Sequence, residues 1–243
     1  MATYAFVHGG GGSGAEFDLL AAELRGLGHD VVAPDLPIED EDADLAGYAQ
    51  TVVDAIGDRT GVVVVAHSLG AFTAPIVCEW TPVDLLVLLA AMVPAPGESF
   101  SEWWANTGYD DAARRYLDPG ADPVATFMHD VPPGLVAAAL ARERKQAGKA
   151  LEEPWPLEAW PDVPTRFLLF RDDRDVPGPL VAGGRPAAAR HHPGRDGRQP
   201  LRLPEPPEGA GPAARGLPDG TRPGLAARPG PRISGLKGQE SSR

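Results

Sequence analysis

Four consecutive valines, Val62–Val65, run straight into Ala66-His67-Ser68-Leu69-Gly70-Ala71-Phe72. A strand apolar on both faces must be buried on both, as a central strand of a helix-covered parallel sheet is. A helical pattern begins at once behind it, so Ser68 falls on a sharp strand-to-helix turn. The residues two before and two after it are small. That is the setting of a nucleophile elbow, in which strand and helix pass too closely for larger side chains. Ala66 stands where the motif has its first glycine and adds one methyl group. A chance Ser-Leu-Gly helix start is the alternative, and the strand in front favours the nucleophile.

The surrounding pattern agrees with a parallel sheet. Residues 3–7 read as a short buried strand ending at His8-Gly9-Gly10, and Val31-Val32-Ala33 as a second, closed by Pro34. Phe17, Leu19, Leu20, Leu24 and Leu27 recur at helical spacing over 15–27, with Gly28 as the stop. Leu45–Ile56 is expected to be helical, as is 69–80; Leu85–Leu89 and 166–170 are expected strands. Strands and helices alternate, which implies an α/β fold with every strand's C-terminal end at one edge, where sites form. Between about residues 94 and 164, Trp103, Trp104, Tyr109, Tyr116, Phe127, 135–140, Trp155 and Trp160 sit among prolines and charges. A helical, aromatic insertion of that kind is expected to cap the strand ends and cover Ser68.

The chain carries a formal net charge of -12, which argues against nucleic acid as a partner. No run of apolar residues is long enough to span a membrane. Residues 1–4 lead into the first strand without a basic leader, and the single cysteine, Cys78, suits a reducing compartment, so a cytoplasmic protein is expected.

Acyl transfer develops negative charge on the carbonyl oxygen, and fixed backbone N–H groups stabilise it. In this arrangement the donors are Leu69 N–H, at the start of the helix, and Gly10 N–H, at the end of the first strand. A phosphate-binding loop is the alternative for the glycine run 9–14, but it has no accompanying Walker lysine.

The segments Ala-Phe-Val-His-Gly-Gly, Val-Val-Ala-Pro-Asp-Leu-Pro and Val-Val-Ala-His-Ser-Leu-Gly resemble the α/β-hydrolase superfamily, in particular its small branch of esterases and hydroxynitrile-lyase relatives. The resemblance covers about residues 3–175. It implies an α/β-hydrolase fold with a helical cap, a serine nucleophile at Ser68, and an acid just after the strand that follows the cap. Asp173 is the matching position and Asp172 its neighbour. The implied divisions are a core at 1–93, a cap at 94–164, and the last recognisable strand with its acid turn at 165–175. No metal or organic cofactor is implied, and the substrate is expected to be a small carboxylic ester. No pattern specifies an oligomeric state.

The family's histidine, expected about 25 residues after the acid in a Gly-x-His or Gly-His setting, is missing. His191 and His192 lie at nearly the right distance but precede Pro193-Gly194 with no strand around them. His29, His67 and His129 read as surface or packing histidines. Residues 176–243 hold thirteen prolines, thirteen glycines and ten arginines, with no aromatic residue. They are expected to be disordered, and the fold to lack its last strand and helix. Such a composition is what GC-rich DNA yields when read out of frame. One base read in excess near Arg174-Asp175 allows a shifted reading in which a Gly-Ser-His falls at Pro200-Leu201. A natural low-complexity tail is the alternative. The functional expectations are a serine hydrolase whose present chain is inactive, a non-catalytic hydrolase-fold shell binding small apolar ligands, or a carbon–carbon lyase, for which no lysine is placed near the elbow.

Overall fold

The computed structural model describes residues 1–108, 122–168, 170 and 173. These belong to one unit, Met1–Arg195; a second unit, Asp196–Arg243, lies outside them. The expected absence of a last strand and helix, the disordered tail, Tyr109, Tyr116, Asp172, His191 and His192 likewise fall outside the described residues.

Among the described residues, five parallel strands form one sheet: β1 (Thr3–Val7), β2 (Asp30–Val32), β3 (Val62–His67), β4 (Leu85–Leu89) and β5 (Thr165–Leu168). Their order is β2-β1-β3-β4-β5, which puts the valine strand at the centre. Val64 of β3 lies beside Ala5 of β1 and Leu86 of β4. One face of the sheet packs on α2 (Leu45–Ile56) and α3 (Ala74–Trp80), burying Val62, Val64, Leu86 and Leu88 with Val52, Ile56 and Val77. The other face receives α1 (Asp18–Gly26), with Phe6 stacked on Phe17 at 4.4 Å between ring centres.

Helix boundaries have local causes. Asp44 caps α2 by accepting the Gly47 N–H at 2.8 Å, and Gly57 closes it at φ 56°. The expected continuous helix over 69–80 is instead a 3-10 turn, Ser68–Phe72, followed by α3. Pro75 explains the break, since a proline with no N–H belongs in a helix's first turn rather than its interior. The expected helix over 15–27 likewise begins as a 3-10 turn, Gly14–Phe17. Leu19, Leu20 and Leu27, read as part of its apolar stripe, are exposed.

Between β4 and β5 the chain forms α4 (Phe100–Thr107), α5 (Pro123–Phe127), α6 (Pro133–Leu140) and the single turn α7 (Lys149–Glu152). Ser99 and Glu102 make a complete capping box at the start of α4. Two buried tryptophans fasten this helical cap. Trp103 Nε1–H donates to Val93 O at 3.1 Å, and Trp155 Nε1–H donates to Phe72 O at 2.9 Å.

Candidate active site

Ser68 sits directly after β3, at the C-terminal edge of the sheet, with φ 50°. Ala90 is the other non-glycine residue with positive φ among the described residues. A left-handed serine costs on the order of 1–2 kcal/mol, and such strain persists only where the surroundings over-determine it. They do so here. Gly70 lies so close to β1 that a β-carbon there would stand 2.6 Å from Val7 O and 2.9 Å from His8 O. Ala66 is fully buried between Val7 and Leu88, where one methyl is accommodated. Met92 N–H donates to Ser68 O at 3.1 Å and ties the elbow to the segment after β4.

The glycine loop meets this turn. A β-carbon at Gly9 would be 3.1 Å from Ser68 Cβ, and one at Gly10 would be 3.3 Å from Leu69 Cδ2. Gly10 and Leu69 are therefore neighbours across the elbow. His8 holds the loop from beneath: its Nε2 accepts the Leu36 N–H at 3.0 Å, which leaves the proton on Nδ1 for Gly9 O at 2.9 Å. Burial pushes the His8 pKa down, against a smaller opposing effect of the Gly9 hydrogen bond, so the ring is held neutral.

Residues with no motif to announce them complete the wall. Glu16 Oε2 meets His67 Nδ1 at 3.3 Å, and its Oε1 occupies the space a Gly12 side chain would need. His67 therefore turns to Glu16 beside the glycine loop. Arg144 N–H donates to Gly11 O at 2.9 Å, and Arg144 Nη1 donates to Leu36 O at 3.1 Å. Gln146 Nε2 donates to Tyr48 OH at 3.0 Å, while its Oε1 is buried without a partner among the described residues. A cavity of about 10 Å³ lies between Gln146, Tyr48, His8 and Leu69, room for about one water. Residues 144–146 thus approach the loop. Leu135 and Leu140 of α6, expected to cover Ser68, are about half exposed, and α6 buries no residue.

Asp173 follows β5, with its N–H 3.4 Å from Phe170 O. Because β5 pairs with β4 and β4 with β3, Asp173 lies after the same C-terminal edge, two strands from Ser68. His29 Nδ1 accepts the Ala2 N–H at 3.2 Å and its ring meets Tyr4 edge-on, a role in joining β1 to β2. His129 lies after α5, its Nδ1 buried and without a partner among the described residues. Among the described residues no helix is long and apolar enough to cross a membrane.

The sequence matches the alpha/beta hydrolase family over residues 5–211. No curated protein matches it. Among solved structures, it is similar to an extracellular alpha/beta-hydrolase from a Paenibacillus species, at 21% identity and a TM-score of 0.58, covering 74% of this chain and 82% of that one. That protein is described as sharing structural and functional homology with tobacco salicylic acid binding protein 2. Polyneuridine aldehyde esterase is similar at 19% identity and a TM-score of 0.61, over 75% of this chain and 85% of that one. A methylesterase from Arabidopsis is similar at 17% identity and a TM-score of 0.55, over 77% and 87%. At these identities the likeness is one of fold.

Proposed function

The chain belongs to the alpha/beta hydrolase family, and on that premise we propose that its site is built for serine-dependent hydrolysis of small carboxylic esters. The observation that carries the reading is the left-handed Ser68 at the end of β3, packed against Gly9 and Gly10. Ser68 Oγ attacks the ester carbonyl, and the Gly10 and Leu69 N–H groups receive the oxyanion. A histidine held by Asp173 takes the serine proton and returns it to the leaving alkoxide; water then repeats the sequence on the acyl-enzyme. Esterase-like structural neighbours support the substrate class. In this reading residues 1–93 supply nucleophile and oxyanion donors, 94–164 the roof, and 165–175 the acid turn.

The same reading makes this chain inactive, because 176–243 carries no family-like histidine segment. A serine hydroxyl without its base keeps only the roughly 10³–10⁴-fold enhancement that binding and the oxyanion hole provide. The test compares this chain with a version from which one base near codon 175 is removed, using a small aryl ester. Turnover confined to the second version, and lost there on Ser68→Ala, is the expected result. The family match runs on to residue 211, past His191 and His192, and favours a second reading in which one of these is the base. Ser68-dependent turnover by the unmodified chain, abolished by His191→Ala or His192→Ala, would establish that alternative.

A further inference from the structure

One segment of the cap is fastened to the core by polar groups rather than by packing. α6 ends at Leu140 without having buried a residue. Behind it Ala141, Arg142, Glu143 and Lys145 are exposed, and the chain is next buried at Ala147, then at Ala150 and Trp155. Between those points residues 141–146 cross the glycine loop. Arg144 N–H donates to Gly11 O at 2.9 Å, and Arg144 O stands 3.4 Å from where a Gly11 β-carbon would be.

Among the described residues three ion pairs hold this strap, and they straddle the loop. On one side Arg142 Nη1 meets Asp18 Oδ2 of α1 at 3.3 Å. On the other, Arg144 Nη2 meets Glu39 Oε2 at 3.2 Å and Lys145 Nζ meets Glu41 Oε1 at 3.6 Å. Glu39 and Glu41 belong to a run with five carboxylates in residues 39–44, whose mutual repulsion the basic strap relieves. Apart from Arg144, each of the six groups is more than half exposed, so dissolved ions screen all three pairs. Docking also carries a cost. Gln146 Oε1 is buried beside the small cavity at Leu69 without a partner among the described residues, and a buried acceptor left unpaired forfeits its hydration. An attraction that salt weakens is thus set against a standing penalty, with no buried apolar side chain in 141–146 to hold the balance.

We propose that residues 141–146 form a salt-released strap, closed over the glycine loop at low ionic strength and opening at high, with its hinge at the buried Ala147. Opening breaks the Arg144 N–H bond to Gly11 O, gives Gln146 Oε1 back to water and uncovers Gly11. Lys149, paired with Asp44 at 3.1 Å beyond the hinge, stays with the core. The strap limits access to the loop that meets Ser68, and it does so whether or not Ser68 is a nucleophile. Local openings of this kind are drawn from segments with few buried apolar contacts.

Amide hydrogen exchange of the intact chain, read by NMR in about 0.02 M and about 0.5 M NaCl, tests this, because the Debye length falls from roughly 20 Å to about 4 Å. Three exposed pairs together shift an equilibrium roughly three- to a hundredfold, so the Arg144 amide should exchange at least threefold faster in the higher salt. The amides of Val63, Val64 and Val65 should not change, which separates strap opening from global unfolding. Glu39→Gln with Glu41→Gln, both exposed, should speed Arg144 exchange in low salt and remove at least half of the salt response. Asp58→Asn with Glu79→Gln removes the same charge from other exposed positions and should leave the response intact. Protected valine amides in each variant verify that the fold survives. Arg144 exchange that ignores salt, slows in it, rises only in step with the valine strand, or keeps its full salt response in Glu39→Gln with Glu41→Gln would each overturn the proposal.

Discussion

Gly9 packs directly against Ser68: a β-carbon on the glycine would lie 3.1 Å from the serine's own. The end of β1 and the elbow after β3 are thus fitted against each other, and the glycine loop cannot shift without moving Ser68.

Gly70 offers the sharpest test of that fit. Gly70→Ala drives a methyl against two backbone carbonyls, Val7 O and His8 O. Backbone cannot swing aside as a side chain does, so the variant should lose about 1–3 kcal/mol of unfolding free energy in urea. Gly26→Ala, at the end of α1 with nothing within 4 Å of its β-carbon, should instead gain about 0.5–1 kcal/mol.

Ser68 should show the opposite trade. Glycine occupies the left-handed region without penalty, so Ser68→Gly is expected to raise stability by about 1 kcal/mol. The midpoint of urea unfolding measures this; a lower midpoint would show that the turn is not strained.

The buried His8 makes stability depend on pH. Its folded pKa lies below the unfolded value of about 6.5. Above that value both states are neutral and its contribution is fully present. As pH falls from about 6.5 towards the folded pKa, the unfolded chain binds the proton first and the fold weakens. His8→Gln should flatten this part of the unfolding profile between pH 7 and 5, although it lowers stability at pH 7.

Cys78 is the reverse case. Burial pushes its thiol up to about 12, so at pH 8 almost none is thiolate. An aromatic disulfide reagent should modify it at least a hundredfold more slowly in the native protein than in urea. Rapid native labelling would contradict the packing around α3.

The sequence made the elbow legible because its requirements are local: an apolar strand, a turn, and small residues at fixed offsets. The strands from Thr3, Val62 and Leu85 were readable for the same reason. The leucines of α1 were not, since helical spacing shows that a stripe exists but not whether a neighbour covers it. Leu24 found the sheet, while Leu19 and Leu27 did not. The Glu16–His67 contact and the approach of Arg144 and Gln146 to the glycine loop were also hidden. They join residues far apart in the chain and follow no spacing rule. Pro75 was a signal in plain view: a proline at that position places the start of the α-helix near residue 74 rather than 69.

The strand order also governs how the molecule assembles. Among the described residues no ladder of the sheet can form as a hairpin, because all four are parallel and each needs a crossover before its first hydrogen bond. Such topologies reach their transition state slowly. The longest of these excursions separates Leu89 from Thr165, and its closure carries the largest entropic cost. The β1–β3–β4 centre, with Ser68 at its edge, is therefore expected to condense first and β5 to be added last. The turn at Ser68 should then be set before Asp173 arrives, and the amides of β5 should exchange with solvent long before those of the valine strand.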